Sequence, residues 1–142
     1  MATHKIKGRG AMPGVAEGRA IVFPDSIAGN SGAVGDLDGI IYERGSVNRG
    51  MCINGAILVI PCSKGSNGFS SHFKSAKVSG VSPAGWVSTK MDGRLAAAVA
   101  STLVPTVCDF PEGQDPLTHI KTGDMVRIDG ATGDVFITRD DI

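Results

Sequence analysis

One stretch of the sequence gathers side chains that can do chemistry. Directly after the apolar run AILVIP, residues 62–72 read CSKGSNGFSSH and supply a thiol, a lysine, a histidine and several hydroxyls. A buried strand that ends in a glycine-rich turn and opens a helix presents free backbone N–H groups at the helix N-terminus. Together with the helix dipole, those groups hold a carboxylate, a phosphate or a developing oxyanion. The turn is therefore the first candidate site.

Within this turn, Gly65 allows close approach of a ligand, Lys64 supplies positive charge and Ser66 lies at the mouth of the predicted helix. The pattern is not a P-loop, because GxxxxGK[ST] is absent, and it is not a G-x-S-x-G elbow. From the local sequence alone, Ser66 or Asn67 is favoured as an N-cap that stabilises the helix over a catalytic role. A lone His72 in this helix is favoured as a surface or packing residue over a general base.

Length and charge restrict the class of protein. A chain of 142 residues is the size of one domain, which we place at residues 1–142. Its 14 basic and 14 acidic residues balance, which argues against a general nucleic-acid binder or a binder of acidic membranes. Apolar runs are too short to span a bilayer, and the first residues, MATHKIKGRG, lack the apolar core of a signal peptide. The expected compartment is the cytoplasm.

The cysteines argue against a metal site on this chain. Cys52, Cys62 and Cys108 are odd in number, widely spaced and without a CxxC pair. We therefore expect reduced, mostly buried thiols, neither a disulfide framework nor zinc ligands, and no metal bound by this chain.

The elements that must position the turn follow from hydrophobic patterning. HKIKGRG and GRAIVF are predicted strands on either side of the turn AMPGVAEG, and AILVIP reads as a strand buried on both faces. Helices are predicted over residues 66–77 and in DGRLAAAVASTL; GWVST and PTVCDF are predicted strands; residues 120–137 form a hairpin around Gly130 and Gly133. The glycine-studded segment between Pro24 and Gly55 is expected to be functional or covered by a partner. This order predicts an α/β domain with a small parallel core and antiparallel flanks.

Four stretches, taken in order, resemble the small subunit of aconitase X-type dehydratases. They are GRGAMPGVAEGRAIV, INGAILVIPCSKGS, LAAAVASTLVPTV and IKTGDMVRIDGATGDVFI. The most specific parts are Gly8-Arg9-Gly10 with Pro13-Gly14, Ala16-Glu17-Gly18, and Lys64-Gly65-Ser66. The resemblance implies a swivelling β/β/α domain, equivalent to the mobile domain of aconitase. It also implies a large partner subunit that carries an iron or iron–sulfur centre.

The same resemblance implies a reaction and a set of site residues. Enzymes of this type dehydrate small hydroxy acids, cis-3-hydroxy-L-proline in bacterial forms and phosphomevalonate in archaeal ones; the first is favoured here. Aconitase-like enzymes use the serine after the glycine of this turn as the proton-abstracting base, which makes Ser66 the catalytic candidate. Lys64, Gly65, Asn67 and Gly68 would then form the environment of the oxyanion and of the substrate carboxylate. The metal on the partner would polarise the leaving hydroxyl.

Departures from the family pattern affect the expected substrate more than the reaction class. Asn67 and Gly68 stand where aconitase has a serine–arginine pair, so an arginine contact to substrate is missing. Trp86 stands where small aliphatic residues are usual. Arg9 and Glu17, in the first glycine-rich stretch, are expected to be structural or interfacial.

Two rival functions belong to other classes. A phosphohistidine swivel domain has a similar closing pattern, but its histidine would fall on Leu95, which cannot carry phosphate. The segment NGFSSH resembles the phosphohistidine motif around His72, yet it lies one structural unit too early. The other rival is a non-catalytic lid or assembly subunit whose partner holds the whole site.

Overall fold

The computed structural model describes residues 2–140, which form eight strands and three helices. In chain order these are β1 (Ala2–Lys7), β2 (Arg9–Met12), β3 (Val15–Val22), β4 (Ile57–Ile60), α1 (Phe69–Val78), β5 (Gly85–Ser88), α2 (Gly93–Thr102), β6 (Thr106–Cys108), α3 (Pro116–His119), β7 (Met125–Asp129) and β8 (Asp134–Arg139). The strands lie in the spatial order β1-β8-β7-β3-β4-β5-β6-β2. Strands β3 to β6 are parallel, whereas β1, β8 and β7 on one side and β2 on the other are antiparallel. The predicted parallel core with antiparallel flanks is confirmed.

Strand β3 belongs to both parts of the sheet. Its first five residues pair antiparallel with β7, and residues 20–22 pair parallel with β4. Gly18 lies just before the change of partner, where a Cβ would come 2.3 Å from the carbonyl oxygen of Gly55. The predicted turn AMPGVAEG is therefore too long, because Val15–Gly18 already pair with β7 and Ala16 is buried. Only Pro13 and Gly14 separate β2 from β3.

The side chains of the parallel strands serve two separate cores. In β4, Ile57 and Val59 pack with apolar residues of β7 and β8, between the two parts of the sheet. Leu58 and Ile60 point the other way, into a core shared with α1, α2 and the segment before β4. A strand buried on both faces reads as a continuous apolar run, which is why AILVIP shows no alternation. The result is the β/β/α layering expected from the resemblance.

Helix α2 is bounded by clear signals. Asp92 occupies the N-cap and accepts a hydrogen bond from the backbone N–H of Leu95 at 3.0 Å. Its C-cap, Leu103, has a left-handed backbone with φ 58° and forces the chain out of the helix before Pro105. Helix α3 was not predicted, because four residues carry too little periodicity to be recognised. Within residues 2–140, no helix is long and apolar enough to cross a membrane.

The turn between β7 and β8 contacts the chain on either side of β2 and so joins the antiparallel and parallel parts of the sheet. Gly8 donates a backbone hydrogen bond to Gly133 at 2.9 Å, and Gly130 donates one to Gly14 at 2.8 Å. These backbones lie so close that a Cβ on Gly130 would be 1.7 Å from the carbonyl oxygen of Met12. The predicted hairpin around Gly130 and Gly133 is thus confirmed, and its glycines are needed for contact with β2.

We expect Gly130→Ala to lower the free energy of unfolding by about 1–3 kcal/mol, because the added methyl group forces the turn away from β2. The matched control is Gly93→Ala at the start of α2, where an added Cβ meets nothing within 4 Å. That control should be neutral or stabilising by up to about 1 kcal/mol. Urea denaturation measures both, and equal stability of the two variants would contradict the packing argument.

Candidate active site

The carboxyl ends of the parallel strands meet at one edge of the sheet. The segment 23–28 leaves β3 there, residues 61–68 leave β4, residues 89–92 leave β5 and Asp109 follows β6. Open α/β sheets bind ligands in the crevice outside this edge. The predicted site residues 64–68 all lie in the connection between β4 and α1. Residues 62–68 are called the site turn below.

Helix α1 begins later than predicted. The sequence suggested a helix from Ser66 with Ser66 or Asn67 as its cap; the helix begins at Phe69, and Gly68 takes the N-cap position without a side chain. The Ser66 hydroxyl oxygen instead accepts a hydrogen bond from the Gly68 N–H at 3.2 Å, and the Ser66 carbonyl accepts one from Phe69 N–H. The predicted cap is wrong because Gly68 already has a helical backbone, which leaves Ser66 in a tight turn before the helix. Ser66, Asn67 and Gly68 are exposed.

Gly65 shapes the site turn by its backbone. Its φ of +96° is strained for any residue with a side chain, and a Cβ there would come 3.3 Å from that of Ala28. Lys64, one residue earlier, forms a parallel bridge with Ala28. The turn is therefore built against the segment that follows β3.

The Lys64 ammonium pairs with a carboxylate from elsewhere in the chain. Its Nζ lies 3.1 Å from Oε1 of Glu43, and both side chains are partly exposed. The pair borders a cleft of about 220 Å³ that is also lined by Asp25, Ser26 and Asn48. Because the charge of Lys64 is shared with Glu43, the site turn carries less positive charge than its sequence suggested.

The long segment between β3 and β4 covers the site turn and α1. The Ser26 hydroxyl donates to the Cys62 carbonyl, and the Ser75 hydroxyl donates to Asp36 at 2.5 Å. His72 Nε2 lies 2.6 Å from the carbonyl oxygen of Val34, so this nitrogen carries the proton and donates it. The segment is thus a packed cover held by side-chain bonds and isolated bridges. His72 serves that packing, as favoured from the sequence.

The bulky Trp86 is accommodated by an aromatic cluster beneath α1. Its ring centroid lies 5.0 Å from that of Phe73 and 6.0 Å from that of Phe69, and it is 1% exposed. These rings pack α1 against β5. Leu95, where a phosphohistidine would fall, is fully buried in the same core.

Asp92 was missed as a site residue. Its carboxylate accepts from the Ser63 N–H at 2.6 Å and from the Ser63 hydroxyl at 2.7 Å, in addition to capping α2. Partial burial raises the pKa of Asp92, but hydrogen bonds from Leu95 and Ser63 outweigh it, and the pKa lies below its usual value. An aspartate before an apolar helical pattern is a recognisable cap signal. No sequence signal marks its contact with Ser63.

Arg9 ties β2 to the end of β6. Its guanidinium donates to Asp109 Oδ2 at 2.6 and 2.9 Å and to the Cys108 sulfur at 3.3 Å. Asp109 has a left-handed backbone with φ 56° and accepts from Met91 N–H at 2.9 Å. These bonds give Arg9 a structural role, in line with the expectation. Glu17 is exposed on β3 opposite Arg127 of β7, in the antiparallel flank and five residues before β3 ends.

The three thiols differ in environment. Cys52 and Cys62 are exposed, which corrects the expectation of mostly buried cysteines, whereas Cys108 is fully buried. Burial, with the neighbouring Asp109 carboxylate, raises the pKa of Cys108 to about 11. Across residues 2–140, no three His, Cys, Asp or Glu side chains cluster as metal ligands.

Comparisons with known proteins match nearly the whole chain. The family model described as the aconitase X swivel domain matches residues 5–137. The phosphomevalonate dehydratase small subunit of Methanococcoides burtonii is 33% identical over 133 residues, which cover 94% of this chain and 95% of that protein. The protein of the same name from Thermococcus kodakarensis is 32% identical over 136 residues, covering 96% and 98%.

Solved structures agree with the sequence comparisons. The crystal structure of Thermococcus kodakaraensis aconitase X in its holo-form superposes with a TM-score of 0.86 at 30% identity. The match covers 96% of this chain and 99% of that one. The fold and its length are thus shared by both chains.

We expect iodoacetamide to label Cys52 and Cys62 in the native protein at mildly alkaline pH while Cys108 stays unlabelled. The Cys108 thiol is buried, and its raised pKa leaves almost no thiolate to react. Mass spectrometry of the peptides measures each site, and all three should react in denaturant. Equal native labelling of Cys108 and Cys52 would contradict the described environment.

Proposed function

The chain belongs to the aconitase X swivel-domain family, and we propose that it works as the small subunit of an aconitase-like dehydratase. Its reaction would be the elimination of water from a hydroxy acid. The relatives named as small subunits match it over almost their full length, which supports the same division into two subunits. A large subunit is the proposed partner.

The observation that carries this proposal is the environment of the Ser66 hydroxyl. Its oxygen is exposed at the carboxyl edge and already accepts the Gly68 N–H at 3.2 Å. A hydrogen bond donated to an oxygen favours its charged form, and a helix N-terminus adds positive potential. These features support Ser66 as the residue that would carry negative charge during the reaction.

In the proposed reaction, Ser66 takes a proton from the carbon next to the substrate carboxylate. A carbon-bound proton needs a strong base, and an alkoxide of Ser66 would be one. The Gly68 N–H stabilises that alkoxide, while Lys64, Gly65 and Asn67 provide charge and donors for the substrate carboxylate. Because these residues are exposed or partly exposed here, the large subunit must cover them to exclude water.

An iron or iron–sulfur centre is proposed on the large subunit. When bound there, it would polarise the leaving hydroxyl of the substrate. The residues of this chain would hold the proton on Ser66 and orient the carboxylate.

Phosphomevalonate is the first substrate to test. The sequence favoured cis-3-hydroxy-L-proline, but the named relatives are phosphomevalonate dehydratase small subunits. Both acids carry the hydroxyl β to the carboxylate, so the same base can remove the α proton from either. The names of the relatives therefore decide which acid is tested first. The proposed role of Ser66 applies to both acids.

We expect Ser66→Ala, copurified with its large subunit, to lower kcat by about 10²–10⁴-fold with phosphomevalonate, as loss of a general base does. The matched control is Ser71→Ala, an exposed serine in the first turn of α1, which should retain activity. Size-exclusion chromatography checks that each complex is intact. Near-normal kcat for Ser66→Ala in an intact complex would remove the serine as base and favour a non-catalytic lid.

The same complex separates the remaining alternatives. Cis-3-hydroxy-L-proline is assayed beside phosphomevalonate, and the substrate with the higher kcat/KM identifies the enzyme. Labelling of this chain by a phospho-donor, lost in His72→Ala, would favour phosphotransfer. We expect no such labelling, because His72 Nε2 is engaged by Val34 and Leu95 is buried.

A further inference from the structure

One carboxylate joins two neighbouring loops at the carboxyl edge. Asp92 lies in the loop after β5 and begins α2, whereas Ser63 lies in the site turn after β4. Asp92 Oδ2 accepts the Ser63 N–H at 2.6 Å, and Oδ1 accepts both the Ser63 hydroxyl at 2.7 Å and the Leu95 N–H at 3.0 Å. Hydrogen bonds to an ionised acceptor are shorter and stronger than neutral ones.

The bonds to Ser63 exceed what a helix cap requires. A cap needs one side-chain oxygen for an N–H of the first turn, and the bond from Leu95 supplies it. The two further bonds fix a peptide three residues before Ser66. Ser63 is only 7% exposed, so little water competes for its donors.

The site turn is held on its other side by the segment after β3. The Ser26 hydroxyl donates to the Cys62 carbonyl, and Lys64 bridges with Ala28. Cys62 and Lys64 are thus both bound to the segment after β3, and Ser63 between them is bound to Asp92. Together these contacts determine where the chain enters the strained backbone of Gly65.

From these contacts we infer that Asp92 is a positioning residue for Ser66, an inference that rests on the function proposed for that serine. The carboxylate contacts the site turn and holds its backbone in the conformation that presents the hydroxyl. Misplacement of a reacting group by about 1 Å costs about 10²-fold in rate. Loss of the bonds to Ser63 should therefore lower kcat.

Asp92→Ala removes both acceptor oxygens at once. The N–H and hydroxyl of Ser63 and the N–H of Leu95 then lose their bonds to this side chain. Asparagine is a weaker test, because an amide has one acceptor oxygen and an NH₂ group that only donates. In one orientation of that amide, the Ser63 N–H keeps its acceptor and only the bond from Leu95 is lost.

Two further variants separate positioning from general destabilisation. Ser63→Ala removes only the hydroxyl bond and leaves the cap on Leu95 in place. Asp129→Ala is the matched control, since Asp129 is another half-buried aspartate whose carboxylate accepts two backbone N–H groups, of Ala131 and Thr132. It is the last residue of β7, on the antiparallel side of the fold.

The first measurement uses amide NMR of the full chain and needs no activity. In Asp92→Ala, we expect hydrogen exchange of the Ser63 amide to accelerate at least about tenfold, since an amide protected by one hydrogen bond opens when that bond is lost. The amide signals of residues 64–68 should shift with it. In Asp129→Ala these signals should stay in place.

The second measurement uses the complex with the large subunit. Asp92→Ala should lower kcat about tenfold or more, with a smaller rise in KM, because proton transfer depends more steeply on position than binding of the carboxylate does. Ser63→Ala should lower kcat less, and its effect should vanish in the Asp92→Ala background, where the Ser63 hydroxyl has lost its acceptor. Such non-additivity is the mark of two residues acting through one contact.

Each result decides the inference. Unchanged Ser63 exchange and kcat in Asp92→Ala would overturn it, as would a parallel fall of kcat and melting temperature in Asp92→Ala and Asp129→Ala alike. Failure of the proposed function is read separately, from Ser66→Ala in the wild-type Asp92 background. A turn that loosens in Asp92→Ala without a change in kcat would also overturn positioning for catalysis.

Discussion

The double pairing of β3 is the constraint on which the rest of the structure depends. One strand of eight residues is hydrogen-bonded antiparallel to β7 in its first part and parallel to β4 in its last. The strand must therefore bend between two sheets, and the close approach of Gly55 to Gly18 shows how little space that bend leaves. Because β3 belongs to both parts of the sheet, one apolar core forms between those parts and a second forms under the helices. The carboxyl edge and its site turn are fixed relative to both.

The strands and the main helices could be predicted from the sequence, because their buried positions are occupied by apolar residues in recognisable patterns. AILVIP shows a strand buried on both faces, and the alanine-rich segment before Pro105 shows a helix. The extent of β3 could not be predicted, because Val15–Gly18 carry glycine and a charge that suggest a turn. Their strand conformation is imposed by pairing with β7, which lies about a hundred residues further along the chain.

The site could be predicted as a turn but not as an assembly. Residues 64–68 are adjacent in sequence, so their proximity needed no structure. Two contacts of the site come from distant segments of the chain: Glu43 pairs with Lys64, and Asp92 accepts hydrogen bonds from Ser63. A charged residue in a sequence gives no indication of its partner. The start of α1 was misplaced because Ser66 is a good cap by type, while the backbone of Gly68 decides where the helix begins.

The pairing of β1 with β8 also determines when this protein can finish folding. Ala2 lies opposite Arg139, and Arg9 in β2 lies opposite Cys108. Contacts between such distant residues require large loops to close, which slows folding. During synthesis, β1 and β2 are made before β8 and β6, with which they pair, and stay unpaired until those strands follow. The nascent chain therefore exposes two unpaired strands during that time, a state in which chaperones protect proteins from aggregation.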